Sequence, residues 1–382
     1  MTKISYITVT ARPDYPYLGR PDLHLFEPTV EAFKNQTNKD FEYIIVDTLY
    51  DQRKDYFKNL KLPFHVKHVP AQPNLWIEHG SPGISTQYNK GIIYADGELL
   101  FFSADGYMFP SNFIENLWTR YCEGYFPMAW YAIDWSFHEP IREYLDEYKF
   151  DVVLKAPCPY ATPSSSPQYN FSGYTGKTVE VEHRYFHSFK DNNFNIHRGY
   201  WSWWFSCSSA SLEAMLKING FDQQFDGDRT LMDCDVGSRL DLAGYSMRFA
   251  LFKDLFIIRA ATVARLWNPS FRDVHLTIKC NYALIGTSRF RKQYRANENK
   301  LSDSDIDWIK QVFCPKKCVV GEFCRQNHVW QYPFEHKAGY VGHNSNKTWF
   351  NFWKKHQTII DLTQEREKRL NGNEKYEEGT FV

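Results

Sequence analysis

Residues 85–106 read STQYNKGIIYADGELLFFSADG, a helical pattern followed at once by an apolar run. Apolar side chains recur at helical spacing over residues 85–95, which predicts a helix. Gly97 interrupts the pattern, and the apolar run at residues 98–103 predicts a buried strand that leads into Asp105. A helix followed at once by such a strand is the repeating unit of an α/β sheet.

The same alternation runs through the first hundred residues. Residues 4–10 (ISYITVT) and 41–46 (FEYIIV) are rich in β-branched and aromatic side chains, which predicts two buried strands, the second ending at Asp47. A helix is predicted at residues 25–36 and a weaker strand at residues 64–69. This order predicts an α/β fold built on a parallel sheet.

The second half of the chain is less regular. Residues 157–204 are rich in proline, serine and aromatic side chains, which predicts an irregular excursion too long for a simple connection. Helical patterns return at residues 207–220 and 231–244, and a strand is predicted at residues 246–258.

The C-terminal part is charged and helical in pattern. From about Arg289 onward the composition becomes more charged and helical in pattern, and Ser302 is in place to cap a helix. Residues 364–376 are dominated by charge, which predicts either a solvated helix or disorder.

Composition excludes several classes of protein. The 45 Lys and Arg balance 45 Asp and Glu, which argues against a protein that mainly coats nucleic acid. No apolar run approaches the ~18 residues of a membrane span, and the N-terminus lacks a leader pattern, so we expect a cytoplasmic chain without a transmembrane segment. Its eight cysteines are then expected to be reduced thiols. The 18% aromatic content suggests a stacking surface for rings or sugars.

Acidic residues stand where an α/β sheet places its ligand site. Asp47 and Asp105 each follow a predicted strand, and Asp233 and Asp235 open a predicted helix. Ligands of open α/β sheets lie at the carboxyl ends of the strands. Each acid taken singly is equally compatible with a turn or a helix cap.

Five stretches between about residues 3 and 250 indicate a protein family, because they occur in the order that is characteristic of it. They are ISYITVTARPDY with Gln36-Thr37 and FEYIIVD, then STQYNKGIIYADGELLFF, SADG, INGFDQQF and MDCDVGSRLDLAGY. In this order they resemble the inverting family 2 glycosyltransferases, which have the GT-A nucleotide-sugar fold. SADG falls at the D-x-D position of that family, and MDCDVGSRLDLAGY resembles its E-D-x-D helix.

The chain departs from the family pattern at four positions, one of which is Thr48, where the family has the second Asp of a pair after the second strand. Ser103 replaces the first Asp of D-x-D, which leaves Asp105 as the remaining acid. Met232 replaces the Glu of the E-D pair, whereas Asp233 keeps the position of the family's base. Tyr88 stands where the family has an arginine.

The resemblance implies a domain organisation and a set of site residues. It implies a GT-A type, Rossmann-like fold with a mixed, mostly parallel sheet flanked by helices over residues 1–285. Residues 157–204 would be an aromatic-rich insertion and residues 286–382 a mainly helical extension. It implies Asp233 as the catalytic base and Mn²⁺ or Mg²⁺ at Asp105, with His275 as a further ligand. Contacts to the nucleotide-sugar are implied for Thr10, Arg12, Asp47, Asn89, Ser103 and Asp235. Arg239 lies four residues after Asp235 and could equally be its salt-bridge partner.

Two further patterns have two interpretations each. Trp201, Trp203 and Trp204 could stack on an acceptor sugar or lie in a core strand. Four residues near the C-terminus have side chains suited to a structural, tetrahedral zinc site, but they could also be unrelated groups. These are Cys314, Cys318, Cys324 and His328.

The leading hypothesis is an inverting transfer of a sugar from a nucleoside diphosphate to a hydroxyl of a glycan, lipid-linked or protein acceptor. The resemblance favours uridine or thymidine diphosphates. A sugar nucleotidyltransferase is an alternative, but it should have a Gly-rich loop after the first strand, where this chain has TARPDY. The other alternative is a carbohydrate- or nucleotide-sugar-binding protein with impaired catalysis, which the changes at Ser103 and Met232 leave open.

Overall fold

The computed structural model describes a set of segments and the elements within them. The described residues are 2–10, 27–75, 83–134, 168–170, 178–181, 207–226, 232–260, 294–299, 304, 359–372 and 379–381. The strands are β1 (Ile4–Thr10), β2 (Phe41–Asp47), β3 (His65–Pro70), β4 (Leu99–Ala104), β5 (Tyr107–Met108), β6 (Phe126–Asp134), β7 (Gln168–Asn170), β8 (Thr178–Val181), β9 (Ser208–Ser211), β10 (Phe249–Ala260) and β11 (Gly379–Phe381). The α-helices are α1 (Glu27–Lys34), α2 (Tyr50–Asn59), α3 (Ile84–Tyr94), α4 (Phe113–Cys122), α5 (Leu212–Lys217), α6 (Met232–Leu242) and α7 (Leu362–Leu370).

All of these strands belong to one sheet. Its order is β11-β3-β2-β1-β4-β9-β6-β10-β5, with β8 added to β6 and β7 added to β8. The strands β3, β2, β1 and β4 run parallel to one another, as do β6 and β10. The strand β9 runs antiparallel to both β4 and β6, so the six longest strands share one direction.

Helices cover both faces of the central strands. On one face the Phe33 ring of α1 lies with its centroid 4.8 Å from the centroids of Tyr6 and of Tyr43. On the other face Gly91 of α3 contacts Ile7 so closely that an added Cβ would collide. Burial on both faces explains why β1 and β2 are buried along their whole length. The predicted mixed and mostly parallel α/β sheet flanked by helices is confirmed.

Most predicted elements are present. Those predicted over the first hundred residues all occur, with ends displaced by at most two residues, and α6 and β10 match the later predictions closely. The helix predicted over residues 207–220 is wrong in its first part. There β9 pairs with β4, and α5 begins only at Leu212, where the Ser211 hydroxyl accepts a hydrogen bond from the Ala214 N–H (3.1 Å).

The excursion predicted to be irregular contains regular structure where it is described. The strands β7 and β8 pair with each other, and β8 continues the sheet beside β6. The prediction of irregular structure is therefore wrong for these two segments, because pairing with a sheet edge stabilised strands that have no strong pattern of their own.

The described parts of the C-terminal extension pack against the main sheet. The helix α7 overlaps the segment 364–376, and its residues from Gln364 onward are exposed or half-buried, as the alternative of a solvated helix predicted. Leu362, just before that segment, is buried in the core. Arg366 and Arg369 donate hydrogen bonds to main-chain carbonyls at the C-terminal end of α3. The strand β11 then pairs with β3. The domain boundary predicted near residue 285 and the cap at Ser302 lie outside the described residues.

Candidate active site

A row of polar side chains crosses three neighbouring strands at their carboxyl ends. Thr10, the last residue of β1, is in register with Asp47, the last residue of β2. On the other side Thr8 is in register with Ser103 of β4, and the Thr10 hydroxyl donates to Oδ2 of Asp105 (2.9 Å). Since carboxyl ends of parallel strands meet at one edge, four of the predicted site residues lie along this edge.

Asp47 is held by protein partners. Its Oδ1 accepts from the Leu49 N–H (2.8 Å) and from Nη1 of Arg53 (3.2 Å), and its Oδ2 faces Nε2 of His68 at 3.0 Å. The whole group is buried, and this burial lowers the pKa of His68 although Asp47 opposes the shift. Both carboxylate oxygens of Asp47 are thus in use within the protein, and binding of a base by Asp47 remains a prediction.

Tyr88 of α3 packs against the end of β4. Its hydroxyl donates to the carbonyl oxygen of Ser103 (3.0 Å). The pKa of Tyr88 is raised well above its usual value, first by burial and then by neighbouring groups that include the charges of Asp233 and Asp105.

Ser103 and Asp233 differ in their accessibility. Ser103 is buried, and its Oγ lies 3.1 Å from the Thr8 Oγ1. Asp233 is half-buried in the first turn of α6, where the end of a helix favours a negative charge. Of these two predicted residues, Asp233 has the exposure that proton exchange with a substrate requires.

Asn89 anchors a loop from the other half of the chain. Its Nδ2 donates to the Phe221 carbonyl oxygen and its Oδ1 accepts from the Phe221 N–H, both at 2.7 Å. The Phe221 ring also stacks on Tyr88, with 4.7 Å between centroids. The Asn89 amide thus fixes Phe221, and a direct contact of Asn89 with a nucleotide-sugar remains a prediction.

Asp235 forms a buried network with Arg239. Its Oδ2 accepts from Nε of Arg239 at 2.6 Å, and Nη2 of Arg239 donates to Asp222 at 2.7 Å. This confirms Arg239 as the i,i+4 partner. Burial raises the pKa of Asp235 against the opposing charge of Arg239, and Asp222 adds to the increase, to about 6. No described residue donates a hydrogen bond to its other oxygen, Oδ1.

Asp226 is a residue that sequence patterns missed. Its carboxylate accepts hydrogen bonds from the main-chain N–H groups of Ser85 (2.8 Å) and Thr86 (3.0 Å) and from the Thr86 hydroxyl. It therefore caps the start of α3 from a position 140 residues further along the chain. Burial raises the pKa of Asp226 to about 7. No local signal could have revealed it, because the helix that it caps is remote in sequence.

Several predicted residues lie outside the described part of the chain, and their roles remain predictions. They are Arg12, Trp201, Trp203, Trp204, His275, Cys314, Cys318, Cys324 and His328. Within the described segments, no group of three or more His, Cys, Asp or Glu side chains could hold a metal ion. No helix within those segments is long and apolar enough to cross a membrane.

Comparisons with known proteins give a weak structural likeness. No protein-family model and no curated protein matches the chain. Among solved structures, S. aureus TarS is 14% identical and matches over 97% of this chain and 50% of its own, with a TM-score of 0.42. This chain thus spans half the length of that TarS chain.

TarS 1–349 in complex with UDP-GlcNAc is 11% identical, covering 97% of this chain and 92% of that chain, with a TM-score of 0.42. The mannosyltransferase PcManGT from Pyrobaculum calidifontis, in complex with GDP-Man and Mn²⁺, is 12% identical over 97% of this chain and 88% of that one, with a TM-score of 0.36. Likeness at this level carries no inference about function.

Proposed function

We propose that the chain is a glycosyltransferase that moves a sugar from a nucleoside diphosphate to an acceptor hydroxyl with inversion. The observation that carries the proposal is the placement of Asp105 and Asp233. Asp105 directly follows β4 at the carboxyl edge of the sheet, where the Thr10 hydroxyl donates to its carboxylate. Asp233 is a half-buried acid in the first turn of α6. The order of the five sequence stretches that resemble family 2 glycosyltransferases supports the same reaction.

A divalent cation fits the chemistry of this edge. Mg²⁺ is usually held by one or two carboxylates together with substrate phosphates, so a site can be built on few protein ligands. Asp105 provides a carboxylate that is oriented by the Thr10 hydroxyl. A Mg²⁺ or Mn²⁺ held there would offset the charge that develops on the diphosphate as it leaves.

Asp233 would act on the acceptor. The acceptor hydroxyl attacks the anomeric carbon from the face opposite the diphosphate and must lose its proton as the new bond forms. A carboxylate at Asp233 would take that proton, which contributes roughly 10²–10⁴-fold to the rate. We further propose that the acceptor is a hydroxyl of a glycan, a lipid-linked saccharide or a protein.

A second candidate is a protein that binds nucleotide-sugars without transferring them. The changes at Ser103 and Met232, two positions where the family that the chain resembles has acids, favour it. The carboxylate of Asp47 and the amide of Asn89 are also engaged by the protein itself.

The two candidates can be separated with a small panel of donors. Melting temperature is measured with UDP-glucose, UDP-GlcNAc and GDP-mannose, each with Mn²⁺ or with EDTA, and sugar release to water is followed in parallel. We expect one donor to raise the free energy of unfolding in the presence of Mn²⁺, by ~2.7 kcal/mol when the donor concentration is 100 times Kd. The same donor should be slowly hydrolysed. Stabilisation without hydrolysis or transfer would favour the second candidate. No stabilisation by any donor at millimolar concentration would contradict both.

A further inference from the structure

A short turn after α5 joins three parts of the molecule. In this turn, residues 219–222, Asn219 and Gly220 adopt left-handed backbone conformations with φ of 60° and 70°. A Cβ on Gly220 would collide with the side chains of Asn89 and Leu362, so the turn is packed between α3 and α7. It therefore lies where the sheet domain and the C-terminal extension meet.

Two asparagines connect this turn to the C-terminal extension. Nδ2 of Asn297 donates to the carbonyl oxygens of Asn219 (3.0 Å) and Phe221 (2.9 Å), and its Oδ1 accepts from the Gln223 N–H (2.9 Å). In return, Nδ2 of Asn219 donates to the carbonyl oxygens of Ala296 and Ile360, both at 2.7 Å. Both amides are buried, so each unmade hydrogen bond would cost a desolvation penalty.

The same turn reaches the helix that carries Asp233. Arg239 of α6 donates to Asp222 in the turn and, through Nη1, to the carbonyl oxygen of Arg295 in the extension (3.0 Å). Its Nε is bonded to Asp235, one turn away on α6. A displacement of the extension would thus be transmitted to α6 through buried ionic hydrogen bonds, which have strict geometry.

The turn also reaches α3. The Phe221 carbonyl oxygen accepts from Asn297 and from Asn89, and the Phe221 ring stacks on Tyr88. Asn297 is therefore bonded to Phe221, whose ring stacks on Tyr88, and the Tyr88 hydroxyl in turn donates to the Ser103 carbonyl oxygen at the end of β4.

We propose that Asn297 is a positioning residue for the candidate active site, through which the C-terminal extension fixes the turn at residues 219–222 and the helix α6. The inference rests on the proposed function, since it gives a remote amide the task of orienting the base. Asn219 shares this task from the other side of the contact. Neither residue touches the reacting groups.

The chain offers a matched control for a purely structural role. Gln36 is also buried, and its Nε2 donates to two carbonyl oxygens, those of Ala32 (3.0 Å) and Pro110 (2.7 Å). Its Oε1 accepts from one main-chain N–H, that of Ile114 (3.0 Å). Asn297→Asp and Gln36→Glu therefore each delete two donated bonds and keep one accepted bond. Aspartate also tolerates the left-handed backbone at position 297 (φ 59°).

The experiment compares Asn297→Asp, Asn219→Asp and Gln36→Glu with the parent. Hydrogen exchange of the amides of α6 is measured on the full chain, and kcat and KM are measured with the donor that the panel selects. We expect all three variants to melt earlier than the parent. Only Asn297→Asp and Asn219→Asp should exchange faster in α6 and lose roughly 10-fold in kcat, with donor KM changed by less than about 2-fold.

Two results would overturn the positioning role. One is an equal effect of Asn297→Asp and Gln36→Glu on α6 exchange and kcat, and the other is unchanged α6 exchange in folded Asn297→Asp. If the parent shows no turnover with any donor, the proposed function is wrong instead. The comparison of α6 hydrogen exchange among the variants would then still test whether Asn297 is coupled to α6.

Discussion

The two ends of the central strands use acidic residues in different ways. At the amino end, Nζ of Lys67 donates to Glu42 (2.7 Å) and to Asp96 (2.5 Å), and Arg369 of α7 donates to the other oxygen of Asp96 (2.5 Å). At the carboxyl end, Asp105 accepts from the neutral hydroxyl of Thr10. The acids of the amino end are matched by cations that hold β2, β3 and α7 together.

The ion pairs of the amino end stabilise the fold. Paired and buried charges fix elements in place, and removing one partner leaves an uncompensated charge. Asp47 lies at the carboxyl end of β2, but its carboxylate is bonded within the protein like the acids of the amino end. Its partners are Arg53 and His68. Asp105 and Asp233 are the acids to which the proposed function gives chemical roles.

The largest expected effect is that of Asp233→Asn on turnover. The substitution keeps size and shape but removes the basic lone pair, so it deletes a transition-state role and little ground-state binding. Transfer at saturating donor should fall by roughly 10²–10⁴-fold, with donor affinity almost unchanged. One saturation curve for each protein measures both quantities.

Asp235→Asn is the control for this prediction. It weakens the buried pair with Arg239, so its main effect should be a lower melting temperature. An Asp233→Asn enzyme with turnover within a few-fold of the parent would refute the assignment of the base.

The next largest effect is expected for Lys67→Met at the amino end. Glu42 would remain buried without its cation, which should cost about 3–5 kcal/mol in the free energy of unfolding, measured by urea titration. The protein that stays folded should bind donor as the parent does. Lys54→Met breaks an exposed pair with Asp51 and should cost less than about 1 kcal/mol. Equal losses in the two variants would show that the amino-end network does not stabilise the fold.

A smaller and pH-dependent effect is expected for Asp226→Asn. Burial raises the pKa of Asp226 from 3.8 to about 7, so between these values the native state keeps a proton that the unfolded chain has lost. The contribution of Asp226 to the free energy of unfolding therefore falls as pH rises through this window. Relative to the parent, the variant should gain stability over the same range, by at most about 1.4 kcal/mol per pH unit. Urea titrations across the window measure this difference, and a constant difference would contradict the prediction.

The sequence predicted the first half of the fold because its signals are local. Apolar runs such as those of β1 and β2 identify buried strands without knowledge of their neighbours. The segment Ser208–Ser211 has no such run, and its strand conformation comes from pairing with β4 and β6. Tertiary pairing overrode the helical pattern there.

The candidate site was only partly predictable for the same reason. Strand-end acids such as Asp105 are visible in sequence because their position follows from the strand. The bonds from Asn89 to Phe221 and from Asp226 to α3 join residues 132 to 141 positions apart. Arg366 and Arg369 resemble solvated charges in sequence, but their carbonyl partners lie more than 270 residues earlier.

The central claim is that Asp105 holds a cation that binds the diphosphate of a donor. The most direct test is calorimetric titration of the parent and Asp105→Ala with the donor that the panel selects, once with Mn²⁺ and once with EDTA. We expect the substitution to weaken binding at least roughly 10-fold with Mn²⁺ and to have little effect with EDTA, because a carboxylate-held cation bridges the diphosphate. An equal loss of affinity under both conditions would contradict the claim, since Asp105 would then act as a direct or structural contact.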